Sequence, residues 1–201
     1  GVQAGLAMRS IAMLGSEEQK QQWLPRMARL EAIGAFALTE PDHGSDSIAL
    51  ETSARRDGDS YVIDGRKKWI GNGTIADLVL IWARDEQGDV GGYVVPKGSA
   101  GWTATRMTGK TALRAVWQAE ITLDDVRVPA ENRLANCRSF KDVSVVLDRT
   151  RYTVAWRALG IAEAAYDLAL RHTLQREQFG QPIAGYQLVQ EKLARMLAEI
   201  T

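Results

Sequence analysis

One stretch of this chain, from about Ala32 to Val128, reads as short strands with no helical pattern between them, and that limits the possible folds most. The segments AIGAFALT, SYVIDG, KKWI, DLVLIWA, GYVV, WTATR and AEITLDDVRV are rich in β-branched and aromatic residues. Turn signals such as Asp57-Gly58, Gln87-Gly88 and Lys97-Gly98 bound them. A wholly parallel sheet needs a helical crossover after each strand, and no helix fits here. A short-stranded β-sandwich or partly open barrel is the expectation.

Helical patterns flank the strands, so the fold class is α+β. Upstream, Ser16 and Gln19 make a capping box, and Glu17 and Glu18 suit the positive end of a helix dipole. Trp23, Met27 and Leu30 follow at helical spacing, and Pro25 inside that pattern predicts a kink or break. Downstream, Val143, Leu147, Val154, Leu159 and Ala162 form part of an apolar stripe. One helix running to Gln175 would be about 50 Å long. Gly180 and Pro182 punctuate it, and Val189, Leu193, Met196 and Ile200 mark a second helix. The opening GVQAGLAMRSIAML starts inside an amphipathic pattern, and the last helix meets Thr201 without a cap signal, so both read as cut helices.

Several function classes fall away. With 25 basic against 25 acidic residues, no basic surface for nucleic acid is expected. No apolar run approaches the roughly 20 residues that span a bilayer, so no membrane partner is expected. Cys137 is the single cysteine and cannot pair internally. His43 and His172 lack a second His or Cys at ligand spacing, so no metal site is expected. No G-x-S-x-G elbow supports a serine hydrolase. Gly71-Asn72-Gly73-Thr74-Ile75-Ala76 matches a loose dinucleotide fingerprint, but that motif must open a helix, and DLVLIWA begins at Asp77. A hairpin turn is the better reading.

FALTEPDHGSD, Phe36 to Asp46, carries more. A strand runs into a tight polar turn, and strand-end amides with the Thr39 and Ser45 hydroxyls would put several donors in one arc. Such donors suit a ring edged with carbonyls and nitrogens, or a developing anion, although a plain polar turn has the same composition. KKWIGNG places Trp69 at a strand end, where it is either a core aromatic or a stacking surface.

These segments resemble the acyl-CoA dehydrogenase family. GSEEQKQQWLP (15–25) resembles the end of its N-terminal helical domain, and FALTEPDHGSD and KKWIGNG resemble its two flavin-binding segments. VRVPAEN (126–132) resembles the exit from its β-domain, and REQFGQPIAGYQLVQEKLA (176–194) the signature of its C-terminal helices. Five motifs in the right order and spacing are very specific, and the glutaryl-CoA dehydrogenase branch, with plant short-chain acyl-CoA oxidases, is most similar. The resemblance implies three regions: 1–31 as the end of the N-terminal helical domain, 32–133 as a β-domain for flavin and acyl-CoA, and 134–201 as the first helices of a C-terminal bundle.

By that resemblance the cofactor is FAD and the substrate an acyl-CoA, oxidised to the trans-2-enoyl thioester. In the family a glutamate takes the α-proton and the β-hydrogen leaves as hydride to the flavin. Phe36, Leu38 and Thr39 would lie along the flavin's pyrimidine side, Ser45 would touch flavin and pantetheine, and Trp69, Ile70 and Gly71 would line the opposite flank. Arg176 and Gln178 would reach the FAD of a neighbouring subunit in a homotetramer, and Gln187 matches another FAD contact. In SVVLDRTR (144–151), Asp148 and Arg151 are the substrate-side candidates, or a helical charge pair of structural value alone. Most dehydrogenases of the family carry Thr or Ser where this chain has Gly71, whereas the oxidases resemble it there. The electron acceptor is thus an electron-transfer flavoprotein or O₂. Thr150 stands at the position where a minority carry the base, so the general base is expected beyond Thr201. A catalytically inactive flavin- or acyl-CoA-binding homologue is the remaining alternative. The compartment is the cytoplasm in a bacterium, or the mitochondrial matrix or peroxisome in a eukaryote.

Overall fold

A computed structural model describes residues 1–201. They form two compact units, Gly1–Thr150 and Arg151–Thr201.

In the first unit, Val2–Met8 winds as a π-helix that passes into α1 (Arg9–Leu14), and α2 spans Glu17–Ala28. The α2 capping box forms: the Gln19 amide donates to the Ser16 hydroxyl at 3.2 Å, and the Ser16 amide donates to Gln19 Oε1 at 2.8 Å. Gln19 Nε2 also donates to the Glu131 and Arg133 carbonyls, tying this helix start to the chain that leaves the sheet. The expected break at Pro25 does not occur. α2 continues through it to Ala28, although Pro25 has no N–H to give the Gln21 carbonyl one turn back.

Seven strands follow: β1 (Gly34–Ala37), β2 (Ser53–Asp57), β3 (Ser60–Gly71), β4 (Leu78–Arg84), β5 (Val90–Pro96), β6 (Trp102–Arg106) and β7 (Gln118–Pro129). They build one sheet in the order β1-β4-β2-β3-β7-β6, with β5 also on β4. Most pairings are antiparallel, and β1 runs parallel to β4. SYVIDG and KKWI are one strand, not two: β3 runs through Gly65 and pairs along its length with β7, with irregularities at Ile63/Gly65 and Lys67/Ile70. The turn after Gly71 is not a hairpin, because β3 and β4 do not pair and β2 lies between them.

The sheet curls into a half-barrel, and β4 shows why. All but its last residue are buried. Leu78, Leu80 and Trp82 pack on the helical side with Ala7, Ile11, Met27, Val143 and Val146. Val79, Ile81 and Ala83 face the inside of the curl with Ile63, Ile121 and Val126. A side chain of this kind contributes about 1.5–3 kcal/mol when fully buried, so a strand covered on both faces anchors the whole unit.

After a short 3-10 turn at Ala130–Asn132, α3 (Phe140–Asp148) closes the unit. The single helix expected from Lys141 to Gln175 is two. At Arg149–Thr150 the amide of Thr150 bonds the Leu147 carbonyl, as does its hydroxyl at 2.7 Å, so the spacing tightens and the ladder stops. In the second unit, α4 (Arg151–Gln175) leads through the β8 (Glu177–Gln178) and β9 (Gln181–Pro182) hairpin to α5 (Gln187–Ile200). Neither α4 nor α5 buries a residue. No helix is long and apolar enough to cross a membrane.

Candidate flavin site

The site is made by the unequal lengths of two strands. β2 pairs only with Ser60–Asp64 of β3, so the second half of β3 has β7 on one edge and no ladder on the other. β1, at the end of the sheet path, likewise has a ladder only with β4. The curl brings these free edges together. The Lys68 amide donates to the Thr39 carbonyl at 2.9 Å, and Asn72 Nδ2 to the Gly34 carbonyl at 3.3 Å. Phe36, Leu38 and Thr39 on one flank and Trp69, Ile70 and Gly71 on the other are thereby brought beside each other.

Their side chains differ in what they can offer. Phe36 and Leu38 are buried against the helices, with the Phe36 ring 5.5 Å from that of Trp82, so they can present only backbone. Ile70 is buried inside the curl, and Thr39 is half-buried. Trp69 is 48% exposed and holds φ at 63°, a conformation in which aromatic residues are outliers. Gln118 Nε2 donates to its carbonyl at 3.3 Å, and the Lys68 ammonium lies 5.9 Å from its ring. Gly71 is buried, and a Cβ there would stand 2.9 Å from Val2 Cγ2. Ser45 is exposed on the loop after β1.

Two charged residues that the sequence reading passed over join the flanks. Lys67 is fully buried, and its ammonium donates to Glu40 Oε1 at 2.9 Å and to the Leu38 carbonyl at 3.2 Å. Glu40, also buried, accepts from the Glu51 and Thr52 amides and from the Thr52 hydroxyl. Burial pushes the Lys67 ammonium down to about 8 in spite of Glu40. Burial pushes the Glu40 carboxyl up, but the Lys67 charge and the donors around it hold it below its ordinary value.

The other sequence candidates are on other elements. Asp148 ends α3 and Arg151 opens α4, both exposed, and they belong to different units. Arg176 and Gln178 sit at the exposed β8–β9 hairpin, where Phe179 and Gly180 both take positive φ. The hairpin is closed by Ile183 N–H on the Arg176 carbonyl and by Tyr186 O–H on the Gln178 carbonyl, each pair 2.8–2.9 Å apart. Gln187 is the exposed first residue of α5. No group of three or more His, Cys, Asp or Glu could hold a metal ion. A groove of about 800 Å³, lined by the N-terminal helices and Arg149, includes none of the candidates.

A curled sheet with helices before and after it matches the fold of solved acyl-CoA dehydrogenases. The chain belongs to the acyl-CoA dehydrogenase family: it matches the N-terminal domain over residues 1–31, the middle domain over 35–126 and the C-terminal domain over 140–201. It is 43% identical over 192 residues to the probable acyl-CoA dehydrogenase YngJ of Bacillus subtilis, covering 92% of this chain and 50% of that protein. It is 36% identical to the mitochondrial short-chain specific acyl-CoA dehydrogenase of Rattus norvegicus, covering 97% of this chain and 48% of that one. A crystal structure of glutaryl-CoA dehydrogenase from Mycobacterium smegmatis in complex with FADH2 superposes with a TM-score of 0.96 at 42% identity, covering 99% and 51% of the two chains. The chain thus spans about half the length of the relatives it matches.

Proposed function

We propose that this chain forms the flavin-flanking half of an FAD-dependent acyl-CoA dehydrogenase acting on a short-chain or glutaryl-type thioester. The observation that carries this reading is the meeting of the β1 end with the Trp69 bulge of β3. The residues there suit a flavin. On the edge away from β4 the Gly34 amide already donates to Gln3 Oε1 at 2.6 Å, and the β1 amides beyond it would be the donors for ring carbonyls and nitrogens, with the half-buried Thr39 beside them. Trp69 offers an exposed ring for stacking. When bound, FAD would supply the hydride acceptor that no side chain can. Ser45 would contact cofactor and pantetheine, and Asp148 and Arg151 would lie on the substrate side.

Arg176, Gln178 and Gln187 would serve the FAD of a second subunit, which makes the homotetramer part of the proposal. A guanidinium fork matches a pyrophosphate better than an ammonium does. The domain division at 31 and 133 belongs to the same reading, with electrons passing to an electron-transfer flavoprotein. A general base outside these 201 residues fits the absence of a carboxylate at Thr150. A second reading, acyl-CoA oxidation with O₂ as acceptor, is favoured by Gly71, which puts neither hydroxyl nor bulk at that flank.

The test is anaerobic titration of the full-length protein with butyryl-CoA and with glutaryl-CoA. Bleaching of the visible flavin band by either, with enoyl-CoA formed one for one, is the expected result. A flavin-free protein, or a flavin that neither thioester bleaches, would overturn the proposal.

A further inference from the structure

We infer that the buried Glu40–Lys67 ion pair is a positioning device, which sets the spacing of the two backbone flanks and holds Trp69 in its positive-φ conformation. The inference rests on the proposed flavin site for its ligand, and on this chain's geometry for everything else. Glu40 follows the β1 flank by one residue, and Lys67 precedes Trp69 by two. Lys67 Nζ bonds both Glu40 and the Leu38 carbonyl, so one ammonium is attached to the opposite flank at two points. Glu40 in turn is held by Glu51 and Thr52, in the segment that enters β2. Three stretches of chain are therefore fixed by two side chains.

The bulge follows from the same anchoring. Strict alternation along β3 would put Ile63, Gly65, Lys67 and Trp69 on one face. Val62, Ile63, Lys67, Ile70 and Gly71 are the buried ones instead, because the register shifts between Ile63 and Gly65 and again between Lys67 and Ile70. Lys68 and Trp69 leave the β7 ladder, and Trp69 turns outward. A bulky residue stays in such a conformation only where its neighbours over-determine it. Here Lys67 is tied on one side and Ile70 is packed on the other, while the Lys68 amide is bound to Thr39.

Stability alone does not call for this pair. Apolar residues of similar size usually do as well as a buried ion pair. Space around the pair is already tight: a Cβ at Gly65, whose φ is 152°, would stand 2.5 Å from Thr52 Oγ1. Burial lowers the Lys67 ammonium to about 8, while the Glu40 carboxylate opposes that shift.

The test uses Glu40→Gln, Lys67→Met and the double variant in the full-length protein. The urea midpoint, FAD affinity and flavin reduction potential are measured, with acrylamide quenching of the emission that disappears in a Trp69→Phe background. Each single variant should lose stability, because it strands one buried partner. The double variant should regain the wild-type urea midpoint, yet bind FAD at least tenfold more weakly, with a shifted potential and altered Trp69 quenching. Recovery of affinity, potential and quenching along with stability would show the pair to be merely structural and overturn the inference. A wild-type protein that binds no FAD would refute the flavin reading alone, leaving Trp69 quenching to decide the positioning claim. Unchanged quenching in all three variants would refute that claim.

Discussion

Space, not backbone conformation, explains why residue 71 has no side chain. Gly71 lies outside the left-handed region, but a Cβ would press on Val2 Cγ2 at 2.9 Å. Gly71→Thr alone should therefore displace Val2, and pairing it with Val2→Ala opens the room. In the full-length, substrate-free protein reduced with dithionite, that double variant should reoxidise in air several-fold more slowly than Val2→Ala alone. Stopped-flow flavin reoxidation measures it, and equal rates would remove the support Gly71 lends to the oxidase reading. Glu40 gives a second prediction. Its carboxyl is held below the ordinary value in the fold, so it contributes stability above the unfolded pKa of about 4.5 that is lost as pH falls through the folded one. The urea-midpoint gap between wild type and Glu40→Gln should be widest near about pH 6 and shrink below about pH 4. A gap that does not change with pH would mean that Glu40 gains nothing from ionisation in the fold. The role of Glu40 was not legible beforehand, nor that of its partner Lys67. Lys67 and Lys68 are adjacent and identical in type, and only the bulge decides that the first is buried and the second is not.

Elements were legible where their signals are local. The capping box at Ser16 and Gln19 and six of the seven sheet strands follow from short-range chemistry that survives packing. β2 was missed because SARRD has one buried residue, Ala54, among exposed charges, so it has no apolar alternation to find. Its place is fixed by backbone pairing with β3 and by the Glu40 carboxylate at its entrance. The break between α3 and α4 was hidden for the opposite reason: the apolar stripe continues across it, and only the bonds from Thr150 to Leu147 show it. The β8–β9 hairpin was read correctly as punctuation at Gly180, and its closure leaves Arg176 exposed at its edge. That exposure makes a testable case. If Arg176 grips a pyrophosphate, Arg176→Ala should yield a folded protein that purifies with little FAD. Losing one partner of a desolvated charge pair costs roughly 2–5 kcal/mol, well over tenfold in affinity. Arg176→Lys should recover only part of it, since an ammonium cannot make the two-pronged contact. Full flavin occupancy in the Ala variant, with unchanged circular dichroism, would make Arg176 a solvated surface charge.

The molecule as a whole is lopsided in how it buries itself. Gly1–Thr150 has two apolar clusters, one on each face of β4. Arg151–Thr201 has no buried residue in either helix, and leaves Val154, Trp156, Leu168 and Leu188 more than 65% exposed. Helices gain most of their stability from packing, so this unit needs further surface to order it. The proposed site has the same need, because Arg176 and Gln187 sit on the unit without a core. Catalysis also needs a base. Glu40, the carboxylate between the flanks, is committed to Lys67, Thr52 and the Glu51 amide, and it is held ionised but walled in. A base must reach the substrate proton within hydrogen-bond distance, which a carboxylate so enclosed cannot do. The 201-residue chain alone, with FAD added, is therefore expected to show no turnover of butyryl-CoA or glutaryl-CoA with a dye acceptor. Its first unit should still melt cooperatively by circular dichroism. Turnover near that of the full-length protein would mean that a base lies within these residues, and Asp148, exposed at the end of α3, would be the first to replace with Asn.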